Sequence, residues 1–245
     1  MQDFYTRERI ITGINNLRRI FLDKKPHIKA YYKARNIHSE IVNAMIRYHH
    51  DGKFERQFNR AGTNIVSEIK PENIHLLESK FDLDTREGKQ AFCDMLVYKP
   101  SPNMSCITED FIRNRRYKKP EKIDFLHSML DSKLGLFEVT GTDMEDGYAY
   151  IKNVFTGDEY TIIDIGLSGE EDFDVYLYTR IITYHDISFS TGLNLIFTKT
   201  NKFIKSHIQK YKKDFTPDWE FGRFIELYNH FSKDNDRVKI VTMEL

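Results

Sequence analysis

The strongest constraint on this chain is the stretch Val154-Phe155-Thr156-Gly157-Asp158-Glu159-Tyr160-Thr161-Ile162-Ile163-Asp164. Two β-branched and aromatic runs flank a Thr-Gly-Asp turn, and glycine there can take the left-handed backbone angle that closes a tight hairpin. Around it, strands are expected at Leu136–Thr140, Tyr148–Phe155, Tyr160–Ile165, Val175–Thr183 and Ile187–Phe189, with a further one at Leu193–Phe197. Gly141, Gly147, Gly166 and Gly169 mark connections between them. Short antiparallel strands with this many bends are expected to curl into a small barrel or a strongly bent sheet, a barrel-like module whose nearest architectural class is the oligonucleotide-binding or Sm-like barrel.

Helical periodicity lies on both sides. Ile10, Ile11, Ile14, Leu17, Phe21 and Leu22 recur at spacings of three and four, up to Lys24-Lys25-Pro26, and Ile28–Tyr48 repeats the pattern with Ile37, Ile41, Ala44, Met45 and Tyr48 inward. Shorter helices are expected near Pro71–Leu77, from Asp84 or Thr85 to Leu96, from a capping Thr108 to the basic run 113–119, and from Pro120 to Ser132. After the module come Asn201–Asp214 and a helix opened by Thr216-Pro217, with Val238–Met243 as a closing edge strand. The fold expected is α+β: a helical segment over 1–133, an acidic antiparallel β module over 134–198, and a helical tail over 199–245 that packs on the rest.

With 40% hydrophobic and 13% aromatic residues, the chain can bury a core, and 12 Gly with 6 Pro leave no room for a long flexible linker. No window of 18 uncharged apolar residues occurs, and the charged start Met1–Arg9 lacks the apolar centre of a secretion signal, so a cytoplasmic location is expected. Cys93 and Cys106 have no CxxC spacing and read as reduced thiols at buried positions. Charge is zero overall but unevenly placed. Residues 1–60 hold 13 Lys/Arg against 6 Asp/Glu, whereas 134–198 hold only Lys152 and Arg180 against 12 acids. An acidic module between basic helices implies attraction within the chain or between copies.

Gly135-Leu136-Phe137-Glu138-Val139, Gly147-Tyr148, the Thr156-Gly157-Asp158-Glu159-Tyr160 hairpin and Ser190-Thr191-Gly192 together resemble a small β module of uncharacterised bacterial proteins. The resemblance spans about a quarter of the chain and implies a barrel-like accessory module of unknown function. Some of those relatives carry a zinc-binding segment of clustered cysteines, which has no counterpart in this sequence, so no zinc is implied.

No residue is assigned a catalytic, cofactor-binding or metal-binding role. His38 followed by His49-His50-Asp51 resembles the ligand pattern of metal-dependent HD-domain phosphohydrolases, where the ligands come from different helices. Here 12 residues separate His38 from His50, about 18 Å along one helix, too far to share a metal. GxSxG, GxGxxG and P-loop patterns are absent, and no cofactor is expected. The reading favoured is a protein-interaction or regulatory factor, with a protein partner or self-association. The alternative is a nucleic-acid-binding factor using Arg113, Arg115, Arg116, Lys118 and Lys119 together with Lys202 and Lys205 in the lysine-rich run 199–213. A metal-dependent phosphohydrolase ranks last. Trp219, Phe221, Phe224 and Tyr228 belong to a helix whose apolar side chains exceed one face, and they are the candidate partner surface unless the chain covers them itself.

Overall fold

The computed structural model describes residues 19–50, 91, 93–95, 97–98, 106–114, 117, 119–169, 174–212 and 220–233. Helix α1 (Pro26–His50) starts after the turn at Asp23–Lys25, and α2 (Ile107–Asn114) and α3 (Pro120–Leu130) follow. Strands β1 (Lys133–Asp143), β2 (Tyr148–Asn153), β3 (Glu159–Ile163), β4 (Val175–Tyr184) and β5 (Ile187–Thr198) come next, with a 3-10 turn at Leu167–Gly169 between β3 and β4. Helices α4 (Lys202–Lys212) and α5 (Glu220–Lys233) end the described chain. A helical stretch that includes Ala91, Asp94, Met95 and Val97 lies before α2.

All five strands form one antiparallel sheet in the order β3-β2-β1-β4-β5. The sheet curls until the two outer strands approach within 8 Å between Cα atoms. No ladder joins β3 to β5, so of the barrel or strongly bent sheet expected from sequence the molecule forms the bent sheet, curled but not closed. The two strands expected at 187–189 and 193–197 are one strand, β5. It stays paired with β4 across a bulge: Thr179 pairs with Asn194 and Ile181 with Ser190, so three residues of β5 face Arg180 alone. Gly192, at φ 102°, supplies the backbone angle that this bulge requires.

The sheet's concave side is filled by its own side chains, including Phe137, Val139, Ile151, Ile162, Leu177 and Ile181. The convex side is covered by helices in two groups. Leu136, Tyr178, Leu195 and Phe197 pack against Ile204 of α4 and Phe224, Leu227, Tyr228 and Phe231 of α5. Ile182, Tyr184 and Phe189 pack against Ile37, Ile41 and Met45 of α1, Phe111 of α2 and Phe125 and Met129 of α3. The stretch 91–98 bridges the two groups, with Ala91 and Met95 in the first and Val97 and Tyr98 in the second.

Local chemistry sets several boundaries. Pro120 opens α3 at the first helical position, where its missing N–H costs nothing. Asn201 caps α4 by accepting from the N–H groups of Phe203 and Ile204 at 2.9 and 3.2 Å. Thr108 was expected to cap α2, but the helix already starts at Ile107, and the fully buried Thr108 hydroxyl donates to the Val97 carbonyl at 2.6 Å. Two ion pairs join the segments just before α1 and α4 to the acidic strands and their loop: Lys25 on Asp146, and Lys199 on Glu138 at 2.7 Å. Solvent screens such surface pairs, so burial of apolar side chains outweighs them. Among the described residues no helix is long and apolar enough to cross a membrane. Residues 4–18 of the helix expected over Phe4–Leu22, the helix expected near Pro71–Leu77, the first part of the one expected from Asp84 or Thr85 to Leu96, and the edge strand expected at Val238–Met243 lie outside the described residues.

Candidate functional site

Polar side chains converge at the seam between the two helical groups. Arg180, 1% exposed in the middle of β4, donates from Nε to Asp94 Oδ1 at 2.8 Å. The β5 bulge turns Thr191 toward the same carboxylate, and its hydroxyl donates to Asp94 Oδ2 at 2.9 Å. Asp94 thereby ties the 91–98 stretch to both strands. The Arg180 guanidinium also lies 4.9 Å from the centre of the Tyr98 ring and donates to Ser132 Oγ at 3.4 Å. Tyr98 Oη meets His38 Nε2 of α1 at 2.5 Å, and Arg35, one turn before His38, donates to the Ser190 carbonyl at 3.0 Å.

Burial lowers the His38 pKa to about 4, assisted by the Arg35 cation. Burial, with Asp94 nearby, raises Tyr98 well above its ordinary value. Near neutral pH His38 is therefore an uncharged acceptor and Tyr98 the donor in their hydrogen bond. Burial likewise raises Asp164, which holds the turn after β3 by accepting from the Leu167 N–H at 2.9 Å.

A second polar group lies under α4 and α5. Tyr178 donates to Glu220 Oε1 at 2.9 Å, and Arg223 binds the other oxygen of Glu220. Further along, Glu226 accepts from Lys210 Nζ at 2.7 Å and Tyr211 Oη at 2.9 Å. His207 Nδ1 lies 3.2 Å from Glu226, within electrostatic reach but without the alignment of a well-formed hydrogen bond. Partial burial works to raise the Glu226 pKa, and the contacts from His207, Lys210 and Tyr211 outweigh it and hold the carboxylate at about 2. Among the described residues no three His, Cys, Asp or Glu side chains gather as a metal site.

A family model matches residues 25–240, from the residue before α1 to beyond α5. The chain belongs to DUF7986, a family of unknown function. No curated protein and no solved structure matches it. The DUF7986 match takes in every strand, both polar groups and helices α1 to α5.

Within this DUF7986 chain the residues singled out from sequence fall in three places. Arg113 is exposed at the end of α2 and Lys119 is exposed just before α3, while Arg115, Arg116 and Lys118 lie outside the described residues. Lys202 and Lys205 are exposed on α4. Phe224 and Tyr228 are each 1% exposed and pack on Tyr178, Leu195 and Phe197 of the sheet, so the chain covers them itself. Phe221 is on α5, and Trp219 lies outside the described residues. Residues His38 and His50 are both on α1, and His38 is bound to Tyr98. Cys106 is buried as expected, whereas Cys93 is exposed, a correction to its expected buried position; partial desolvation by the surrounding chain and the adjacent Asp94 still raise the Cys93 pKa. Sequence reading missed Asp94, Arg180 and Thr191 as a unit. The available signal was one arginine inside the apolar run Val175–Tyr184.

Proposed function

We propose that the chain is a non-enzymatic interaction or regulatory factor of the cytoplasm, and that its polar seam belongs to the framework. The observation that supports this reading is how the seam groups engage one another. Both Asp94 oxygens accept hydrogen bonds from the chain's own Arg180 and Thr191, and His38 and Tyr98 hold each other. A general acid or base works best with a pKa near the operating pH, whereas His38 is held at about 4 and Tyr98 far above neutrality. Among the described residues, α4 offers lysines to solvent, and the hairpin loops and strand offer Glu145, Asp158 and Glu159.

His38→Gln and Tyr98→Phe test the reading. Each is expected to lower the thermal midpoint and to leave the binding of partners unchanged at a temperature where the variant is folded. A hydrolytic or group-transfer turnover in the wild-type chain that either variant abolishes without moving the midpoint would overturn it.

A further inference from the structure

The outward face of α4 is a basic surface. Phe203, Ile204, His207, Ile208 and Tyr211 turn toward the sheet and α5 as buried or half-buried residues, and Lys202, Lys205, Gln209 and Lys212 are exposed. Their steps of three, four and three keep these four within about 80° of the helix circumference, in a line about 15 Å long. Ser206 is also exposed beside it.

Other lysines nearby are engaged inside the molecule: Lys199 on Glu138 and Lys210 on Glu226. Among the described ion pairs Lys202, Lys205 and Lys212 take no part. Three cations without an ion-pair partner among the described residues, on a helix that the core already fixes from behind, form a single-sign surface to which an anionic partner is complementary.

We propose that this face of α4 binds the sugar-phosphate backbone of nucleic acid without reading its sequence. The inference rests on the reading above, that the protein is a binding factor and not a catalyst. Lysine, serine and glutamine are residue types that contact phosphates. Protein interfaces, in contrast, are depleted in lysine at their centre and rely on aromatic or arginine anchors, and the exposed residues of α4 include neither. A membrane surface needs an apolar face to insert, and the apolar face of α4 is occupied by the chain's own core.

Fluorescence anisotropy with labelled mixed-sequence DNA and RNA of about 20 nucleotides, single- and double-stranded, tests the proposal. Three phosphates neutralised on duplex DNA give a salt slope of about −2.7, so affinity should fall about 40-fold between 50 and 200 mM salt. Lys202→Glu/Lys205→Glu/Lys212→Glu is expected to weaken binding at least tenfold. Lys24→Glu/Lys29→Glu/Lys133→Glu, with the same change in net charge away from α4, is expected to keep most of it. Both variants are checked by circular dichroism, and glutamine replaces glutamate at the α4 sites if the first does not fold. No binding by the wild type at 50 mM salt, or equal loss in the two variants, would overturn the proposal. Binding of poly-glutamate but of no nucleic acid would do the same, while leaving the interaction-factor reading in place.

Discussion

Gly135 in β1 has no room for a side chain, and the reason lies in the hairpin that anchors the module. An added Cβ would sit 2.7 Å from Asn153 Nδ2 and 3.3 Å from the Phe137 ring. Asn153 cannot yield freely, because its Oδ1 accepts from the N–H groups of Phe155 and Thr156 at 2.9 and 3.0 Å and so shapes the turn. Gly135→Ala must displace this side chain. Losing two hydrogen bonds of about 1 kcal/mol each would be partly offset by the 0.4–1 kcal/mol that alanine gains by restricting the unfolded chain. Residual overpacking adds about 1 kcal/mol at the low end of its range, for a net loss of about 2 kcal/mol. At about 2–4 °C per kcal/mol for a chain of this size, the thermal midpoint should fall by about 4–8 °C. Differential scanning calorimetry measures it, with Asn153→Ala and the double variant completing a cycle. In the double variant the clash is gone, so the two losses should not add. An unchanged midpoint for Gly135→Ala, or strictly additive losses, would refute the argument.

Gly157 differs from Gly135: its φ is 79° with nothing within 4 Å of an added Cβ, so Gly157→Val should cost about 1 kcal/mol or more from backbone strain alone, read as a lower thermal midpoint. Asp94→Ala leaves Arg180 buried without its carboxylate and should cost about 3–5 kcal/mol in urea unfolding, whereas Asp94→Leu/Arg180→Met should cost far less. Acid should destabilise the fold in two windows. His38, depressed to about 4, binds a proton more readily when unfolded, so stability falls as pH drops from about 6.5 to 4, and His38→Gln should remove that slope. Glu226, depressed to about 2, contributes stability present above its unfolded pKa and lost as pH falls from about 4.5 to 2, and Glu226→Gln should flatten that lower window. Urea midpoints measured across pH 2–7 on the two variants separate the windows.

Local signals made much of this fold legible in the sequence. Gly157 in its Thr-Gly-Asp setting marked the hairpin, Pro120 the start of α3, and the spacing of Ile204, His207 and Ile208 the inward face of α4. The polar Ser190-Thr191-Gly192 interrupts the apolar pattern and makes β5 read as two strands, whereas pairing with β4 shows one strand with a bulge at residues 191–193. Asp94 and Arg180 stand 86 residues apart, and nothing in either neighbourhood names the other. The aromatic excess of α5 was legible as a demand for cover, but not that the sheet supplies it through Tyr178 and Phe197.

The two-sided use of the sheet limits how this protein can be taken apart. Residues 134–198 look like a cassette, with a hairpin, a filled concave face and an acidic character of their own. Cut at those bounds, the cassette would turn Tyr178, Ile182, Phe189, Leu195 and Phe197 to water and strand Arg180 without Asp94. A graft of this segment onto another protein is therefore expected to aggregate unless the recipient covers both apolar groups with helices and supplies a carboxylate in place of Asp94. Inheritance would face the same obstacle: recombination that shuffles the strands alone loses the carboxylate holding them to the helices, so strands and helices must travel together.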